Sequence, residues 1–283
     1  MGDDGRMRIS GSDVAGDLAP DPSADPDPSA DPDASTDSGP PPVHPHFQRR
    51  VTSFRARRST ISDSQQATWD RLWPELGVQA RDGDEPAGPL DAEAWFGRRA
   101  PLVLEIGCGT GTSTLAMAQS EPDIDVVAVE VYRRGLAQLL SAIDRTHAPT
   151  PDAGQPVTNI RLIRGDGVDV LTYMLAPASL TGVRVFFPDP WPKARHHKRR
   201  LLQPDTVALI ADRLRPGGVL HAATDHLGYA EHIGEVGDAE PRLRRVSPDD
   251  PRLPISTVRP VTKYERKALA GPVVTELVWE RTS

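Results

Sequence analysis

The fold is decided by residues 102–111, which read LVLEIGCGTG. A short, mostly apolar strand runs directly into glycines at alternate positions, Gly107, Gly109 and Gly111. Glycine adopts conformations closed to other residues and lets the backbone approach a ligand closely, so a ligand-binding turn is predicted here. The small residues that follow Thr112 predict a helix, which completes a strand, turn and helix unit.

The same order repeats along the chain. Further strands are predicted at residues 124–129, 159–163, 183–187 and 219–224, with a final strand at 273–280. The clearest helix carries Leu136, Leu139, Leu140 and Ile143 at positions i, i+3, i+4 and i+7, which predicts one buried face. Alternating strands and helices predict an α/β fold, a doubly wound and mostly parallel Rossmann-like sheet.

Composition divides the chain into two parts. Residues 1–46 contain ten Asp, two Arg and no aromatic residue, and we expect a disordered acidic Pro/Asp-rich tail. Residues 47–283 form the predicted folded domain, which opens with a basic arm over residues 47–60 and is close to neutral overall. A single cysteine, no apolar leader and no long apolar run predict a cytoplasmic protein that does not enter a membrane.

Acidic residues follow the predicted strands. Glu105 precedes the glycines, where a carboxylate would repel a pyrophosphate but suits a ligand that carries positive charge. S-adenosylmethionine has both an ammonium and a sulfonium group, so it fits better than NAD. Glu130, at the end of the next strand, is positioned to accept from ribose hydroxyls, and Asp166, after the third, to accept from the adenine amino group. From Leu102 to Asp225 the chain resembles the class I S-adenosylmethionine-dependent methyltransferases, whose fold adds an antiparallel last strand.

The fourth strand ends in residues 186–191, which read FFPDPW. Pro188 and Pro190 restrict the backbone around Asp189, and Trp191 adds an apolar wall. A carboxylate can accept from the N1–H and amino group of guanine together. Guanine N7 has a nucleophilic lone pair, so its methylation requires alignment with the methyl group but no general base.

A dense run of cations follows: Lys193, Arg195, Lys198, Arg199 and Arg200. Such a run neutralises phosphates with little dependence on base sequence, so the run predicts contact with RNA. The two histidines within it have no acid or cysteine at ligand spacing, and no metal site is predicted.

Several stretches together resemble the tRNA (guanine-N7)-methyltransferase family, which uses S-adenosylmethionine to methylate the variable-loop guanosine at nucleotide 46. The matching stretches are LEIGCGTG at 104–111, AVEV at 128–131, FFPDPWPKARH at 186–196, KRR at 198–200, ATD at 223–225 and TKYE at 262–265. The resemblance implies that Asp189 is the catalytic carboxylate and also lines the cofactor with Glu105, Glu130 and Asp166. It further implies that the substrate is bound by Lys193, Asp225, Thr262, Lys263, Tyr264 and Glu265.

Two other functions are compatible with these residues. One is a methyltransferase for another RNA base or a small planar amine, although a small substrate would not need the cationic run. The other is a non-catalytic RNA-binding protein that keeps the cofactor pocket. The pattern does not distinguish a monomer from a homodimer.

Overall fold

Eight strands form the central sheet. The computed structural model describes residues 60–149, 155–260 and 274–283, and the structural statements that follow concern these residues. The acidic tail, most of the basic arm and Thr262 to Glu265 lie outside them. The described strands are β1 (Gly77–Gln79), β2 (Arg81–Asp82), β3 (Glu85–Pro86), β4 (Leu102–Ile106), β5 (Asp125–Glu130), β6 (Ile160–Arg164), β7 (Leu180–Phe186), β8 (Leu214–Thr224), β9 (Leu243–Val246) and β10 (Thr275–Arg281).

Helices connect and cover the strands. The α-helices are α1 (Asp63–Leu76), α2 (Ala92–Phe96), α3 (Thr112–Ser120), α4 (Arg133–Thr146), α5 (Gly167–Asp169), α6 (Pro204–Arg213) and α7 (Leu227–Ala239). A π-helical turn at Val170–Met174 continues α5, and a 3₁₀-helix at Ala194–Arg199 lies in the cationic run. The four periodic apolar residues predicted for the clearest helix are all buried in α4, which confirms its predicted face.

The strand order is β1, β6, β5, β4, β7, β8, β10, β9. The first six strands in this order, from β1 through β6, β5, β4 and β7 to β8, are all parallel to one another. Strand β10 is antiparallel to both β8 and β9. Strands β4 and β5 are buried along their whole length, as expected for parallel strands covered by helices on both faces. The predicted α/β sheet with an antiparallel last strand is therefore confirmed.

Some element boundaries differ from the prediction. The edge strand β1 (Gly77–Gln79) and the strand β9 (Leu243–Val246) are not among the predicted strands. The strand predicted at residues 219–224 is longer than expected, because β8 already begins at Leu214, directly after α6 ends at Arg213. Short strands carry too few residues for a clear alternating pattern, and pairing with a neighbour decides their conformation.

Candidate active site

The carboxyl ends of the parallel strands meet at one edge of the sheet. Ile106 at the end of β4 lies opposite Val129 of β5 and Val185 of β7, so these three strands end together. This register brings the predicted acids to a common edge, where doubly wound sheets bind their ligands. Those acids are Glu105, Glu130, Asp166 and Asp189.

The glycine turn between β4 and α3 has an open side. Gly107, Gly109 and Gly111 have φ values of 78°, 57° and 74°, in the left-handed region that favours glycine. A Cβ atom added at Gly107 or Gly109 would meet nothing within 4 Å, whereas one at Gly111 would lie 2.5 Å from Leu139 Cδ1 of α4. Gly111 is therefore needed for packing, and the first two glycines border space that a ligand can occupy.

Glu130 connects this turn to α4. Its Oε2 accepts from the backbone N–H of Gly109 at 2.9 Å, and its Oε1 accepts from Val131 and Tyr132 at 2.8 and 3.0 Å. A carboxylate can accept about four hydrogen bonds. Glu130 therefore shapes the turn itself and keeps acceptor capacity for the ribose hydroxyls predicted to bind it.

Glu105 is buried at the end of β4. Burial raises the pKa of its carboxyl, and the positive charge of Arg184 opposes that shift. Its Oε2 has no hydrogen-bond partner among the described residues. A buried acceptor without a partner is unfavourable, and a cationic ligand would supply the missing donor and charge.

Asp166 follows β6 and begins α5. Its Oδ1 accepts from the backbone N–H of Val168 at 2.9 Å, which is a typical N-cap contact. The carboxylate is half-buried at the strand-end edge. This position agrees with the adenine contact predicted for it, which stays a prediction.

Asp189 lies in a turn with strained ends. Phe187 and Trp191, on either side of Pro188–Asp189–Pro190, have φ values of 50° and 44°. For residues other than glycine, this left-handed conformation costs about 1–2 kcal/mol and persists only where neighbouring contacts enforce it. The backbone N–H of Phe187 donates to the carbonyl of Ala223 at 2.8 Å, which fixes the first end. The exposed Asp189 carboxylate is thus presented on a rigid support.

The cationic run divides into exposed and buried members. The exposed members are Lys193, Arg195, Lys198 and Arg199. The pKa of the neighbouring His196 is lowered by some burial and by the positive charges of Arg199, Arg195 and Lys193. The Arg199 guanidinium also lies over the Trp191 ring, 5.2 Å from its centroid. These four exposed side chains together make up the basic loop.

Arg200 has a different position. Its side chain is only 2% exposed, and its guanidinium donates to the carbonyls of Pro190 at 3.0 Å and Gly228 at 3.2 Å. It also lies 4.8 Å from the centre of the Tyr229 ring. These contacts favour a structural role that fixes the second end of the Asp189 turn, rather than the RNA contact predicted for Arg200. Its sequence position alone could not reveal this, because burial depends on the distant helix α7.

The predicted substrate residues are placed only in part. Lys193 and Asp225 are both exposed and follow β7 and β8 respectively, on the same edge as Asp189. The other four, Thr262 to Glu265, lie outside the described residues. Substrate contacts at all six positions stay predictions.

A second cleft opens at the opposite edge of the sheet, near the starts of β4 and β5. It is lined by residues that include Leu90, Arg98, Leu102 and Asp125. Arg98 pairs with the buried Asp125 at 2.7 Å, so these two charges compensate each other. Within the described ranges, no cluster of His, Cys, Asp or Glu is arranged to hold a metal, and no helix is long and apolar enough to cross a membrane.

Comparison with known proteins gives the class and then the family. A family model described as "Putative methyltransferase" matches residues 99–273, more than half of the chain. An aminoglycoside resistance methyltransferase of known structure, NpmB1, aligns with 71% of this chain and 97% of its own at 15% identity and a TM-score of 0.44. The strand-end site and the family match define a methyltransferase.

Close relatives narrow the class. The tRNA (guanine-N(7)-)-methyltransferase of Mycolicibacterium gilvum is 77% identical over 282 residues, which cover 100% of both chains. That of Mycolicibacterium vanbaalenii is 80% identical over 250 residues, 86% of this chain and 91% of the relative. The chain belongs to the tRNA (guanine-N7)-methyltransferase family.

Proposed function

We propose that this enzyme transfers the methyl group of S-adenosylmethionine to N7 of guanine in tRNA, at nucleotide 46 of the variable loop. The observation that carries the proposal is the meeting of three features at one sheet edge. The open glycine turn with Glu105 and Glu130 suits the cofactor, the rigid Asp189 turn suits the base, and the basic loop suits the phosphates. A tRNA substrate also agrees with the expected cytoplasmic location.

The residues fit the proposed cofactor. The buried Glu105 Oε2 lacks a partner among the described residues, as expected for an acceptor that binds the ammonium group. Gly107 and Gly109 leave room for close approach of the backbone. Glu130 and Asp166 offer further carboxylate oxygens at the same edge. S-adenosylmethionine, when bound, supplies an electrophilic methyl group activated by the sulfonium.

The protein's own contribution is orientation and electrostatics. Asp189 would accept from the N1–H and amino group of the target guanine and direct N7 toward the methyl group. The rigid turn limits the carboxylate to few positions, and correct alignment of two reactants contributes a large part of catalysis. The negative charge of Asp189 also stabilises the positive charge that the ring gains on N7 methylation. No proton needs to leave N7, so the reaction requires no general base.

The proposal is tested with tRNA transcripts that lack modification. The enzyme is incubated with the transcript and methyl-labelled S-adenosylmethionine, and N7-methylguanosine is mapped by borohydride reduction and aniline cleavage. Cleavage at nucleotide 46 is expected, and a transcript with adenosine at that position serves as the matched control. Label on another base, label on free guanosine with equal efficiency, or no transfer at all would refute the proposal.

A further inference from the structure

Charged residues are buried next to the Asp189 turn. Arg184 of β7 lies opposite Glu105 of β4 on one side and His221 of β8 on the other, and both Arg184 and His221 are completely buried. His221 Nε2 is 2.7 Å from Oε2 of Glu276 on β10. A row of polar side chains therefore crosses the sheet from Glu105, through Arg184 and His221, to Glu276 on the antiparallel strand β10.

Arg259 joins this row to the turn. Its side chain is only 4% exposed, and its Nη2 donates to Oε1 of Glu276 at 3.1 Å. The guanidinium carbon lies 4.9 Å from the centre of the Phe187 ring and 5.8 Å from that of Phe186. The Phe186 ring in turn meets the His221 ring edge-on, with centroids 4.9 Å apart. One cation is thus held between an acid and the two aromatic rings that lead into Asp189.

The backbone that carries Arg259 is fixed to the sheet. The N–H of Ser256 donates to Oε1 of Glu121 at 2.6 Å, and its carbonyl accepts from Nη2 of Arg184 at 3.2 Å. Ile255 is buried against Gly182, where an added Cβ would lie 2.5 Å from Ile255 Cδ1. The guanidinium is therefore held from both its backbone and its acidic partner.

Phe187 is the residue on which this cation acts. Its backbone is in the strained left-handed region, and relaxation to an ordinary conformation would move its ring and turn Pro188 and Asp189 with it. A cation over an aromatic face is attracted by the ring, and the attraction is larger where water is excluded. The contact with Arg259 stabilises the one ring position that is compatible with the strained backbone.

We propose that Arg259 is a positioning residue, which holds Phe187 in its strained conformation and thereby sets the direction of the Asp189 carboxylate. Glu276, supported by His221, keeps the guanidinium in place. The inference rests on the proposed function, because it assigns to Arg259 the orientation of the residue that aligns the guanine. Arg259 acts through Phe187 and does not itself touch the reacting atoms.

The test compares Arg259→Met, Arg259→Lys and the wild type in steady-state transfer to tRNA. Methionine keeps much of the length but loses the charge, so kcat is expected to fall about 100-fold, the scale of a misplacement near 1 Å. The KM for tRNA and the affinity for S-adenosylmethionine should change by less than about threefold, because none of the residues proposed to bind tRNA or the cofactor is replaced. Lysine keeps the charge over the ring and should restore most of kcat.

Arg252→Met is the matched control. Arg252 lies on the same irregular segment, but its side chain is 82% exposed and pairs with Asp250. Its replacement should leave both kcat and KM at the wild-type values. If Arg259→Met does not fold, as judged by thermal unfolding, Glu276→Gln takes its place, since it removes the acid with little change of shape. A lower kcat at unchanged KM is expected for it as well.

Three results would overturn the inference while the wild type remains active. The first is a kcat equal to that of the wild type in Arg259→Met or in its substitute Glu276→Gln. The second is a defect confined to the KM for tRNA, and the third is a kcat of Arg259→Lys no higher than that of Arg259→Met. The second result would make Arg259 an RNA-binding residue. A wild-type enzyme that forms no N7-methylguanosine would instead refute the proposed function.

Discussion

The Oε2 atom of Glu130 accepts a hydrogen bond from the backbone N–H of Gly109 at 2.9 Å. The acid at the end of β5 therefore holds the turn that ends β4, before any ligand is considered. Gly135 on α4 supports the same contact, since an added Cβ there would lie 2.2 Å from the carbonyl oxygen of Gly109. Acid, turn and helix form one unit, and the proposed cofactor site is largely preformed.

The open side of this turn leads to the first prediction, Gly107→Ala. The variant should lose about 1–2 kcal/mol of stability, because alanine is strained at a φ of 78°. Its methyl group would also enter the space proposed for S-adenosylmethionine, so cofactor affinity should fall at least about 10-fold, or about 1.4 kcal/mol. Calorimetric titration and thermal unfolding measure the two effects separately.

Gly97→Ala is its matched control. Gly97 ends α2 with a φ of 70° and also has nothing within 4 Å of an added Cβ. It should show the same decrease in stability with unchanged cofactor affinity. Equal cofactor affinity in both variants would place the cofactor elsewhere.

Removal of the proposed catalytic carboxylate gives the second prediction. Asp189→Ala should lower kcat about 100-fold or more, because the variant has neither the alignment nor the charge stabilisation. The affinity for tRNA should change little, since the basic loop is intact. Single-turnover transfer at saturating tRNA, with a filter-binding measurement of affinity, separates chemistry from binding. Asp249→Ala, another exposed aspartate that follows a proline, should behave as the wild type. Equal activity of the two variants would contradict the role given to Asp189.

The third prediction separates the exposed cations from Arg200. The double variant Lys198→Gln, Arg199→Gln should bind tRNA more weakly, and the slope of log affinity against log salt should fall by about one unit for each phosphate that is no longer neutralised. Its melting temperature should stay near that of the wild type. Binding isotherms at several salt concentrations give the slope.

Arg200→Gln should show the opposite pattern. Removal of the buried, charge-assisted hydrogen bonds to Pro190 and Gly228 should lower stability by about 2 kcal/mol. With only 2% of its surface exposed, Arg200 should contribute little to the salt slope. A slope reduced by Arg200→Gln in a fully folded protein would restore it as an RNA-binding residue.

Much of the fold follows from local sequence. The strands β4 to β8 and the helix α4 have a regular apolar pattern, with glycine or proline near their ends. These local features predict the same elements that the folded structure contains. The strand-end acids could be found for the same reason, since parallel order brings their positions together. Residues whose roles depend on partners far away in the chain could not be identified from the sequence. Arg200 and Arg259 look like surface cations until α7 and β10 bury them.

A weaker signal for the buried row was present. Arg184 and His221 interrupt strands that otherwise read as buried on both faces, and a charged residue in such a strand needs a partner. The partner itself is not readable, because Glu276 is 55 residues from His221 in the chain. The left-handed backbone of Phe187 and Trp191 was equally hidden, since neither is a residue type that favours it.

The last prediction concerns the pH dependence of stability in Glu276→Gln. Burial raises the pKa of Glu276, but the hydrogen bond from His221 and the charges of His221 and Arg259 outweigh it and leave the pKa below the ordinary value of 4.5. A depressed pKa in the folded state adds stability that is present above the unfolded-state pKa. That stability disappears as pH falls through the folded-state pKa. At neutral pH the variant should therefore be about 1–2 kcal/mol less stable than the wild type, and below pH 4.5 the two should converge.

Glu280→Gln is the matched control. Glu280 lies on the same strand and pairs with the exposed Arg244, so its replacement should change stability by less than about 1 kcal/mol. Chemical denaturation from neutral pH to below pH 4.5 measures the free energy of unfolding of the wild type and of both variants. The role given to the His221–Glu276–Arg259 contacts would be contradicted if the difference between Glu276→Gln and the wild type did not narrow as pH falls.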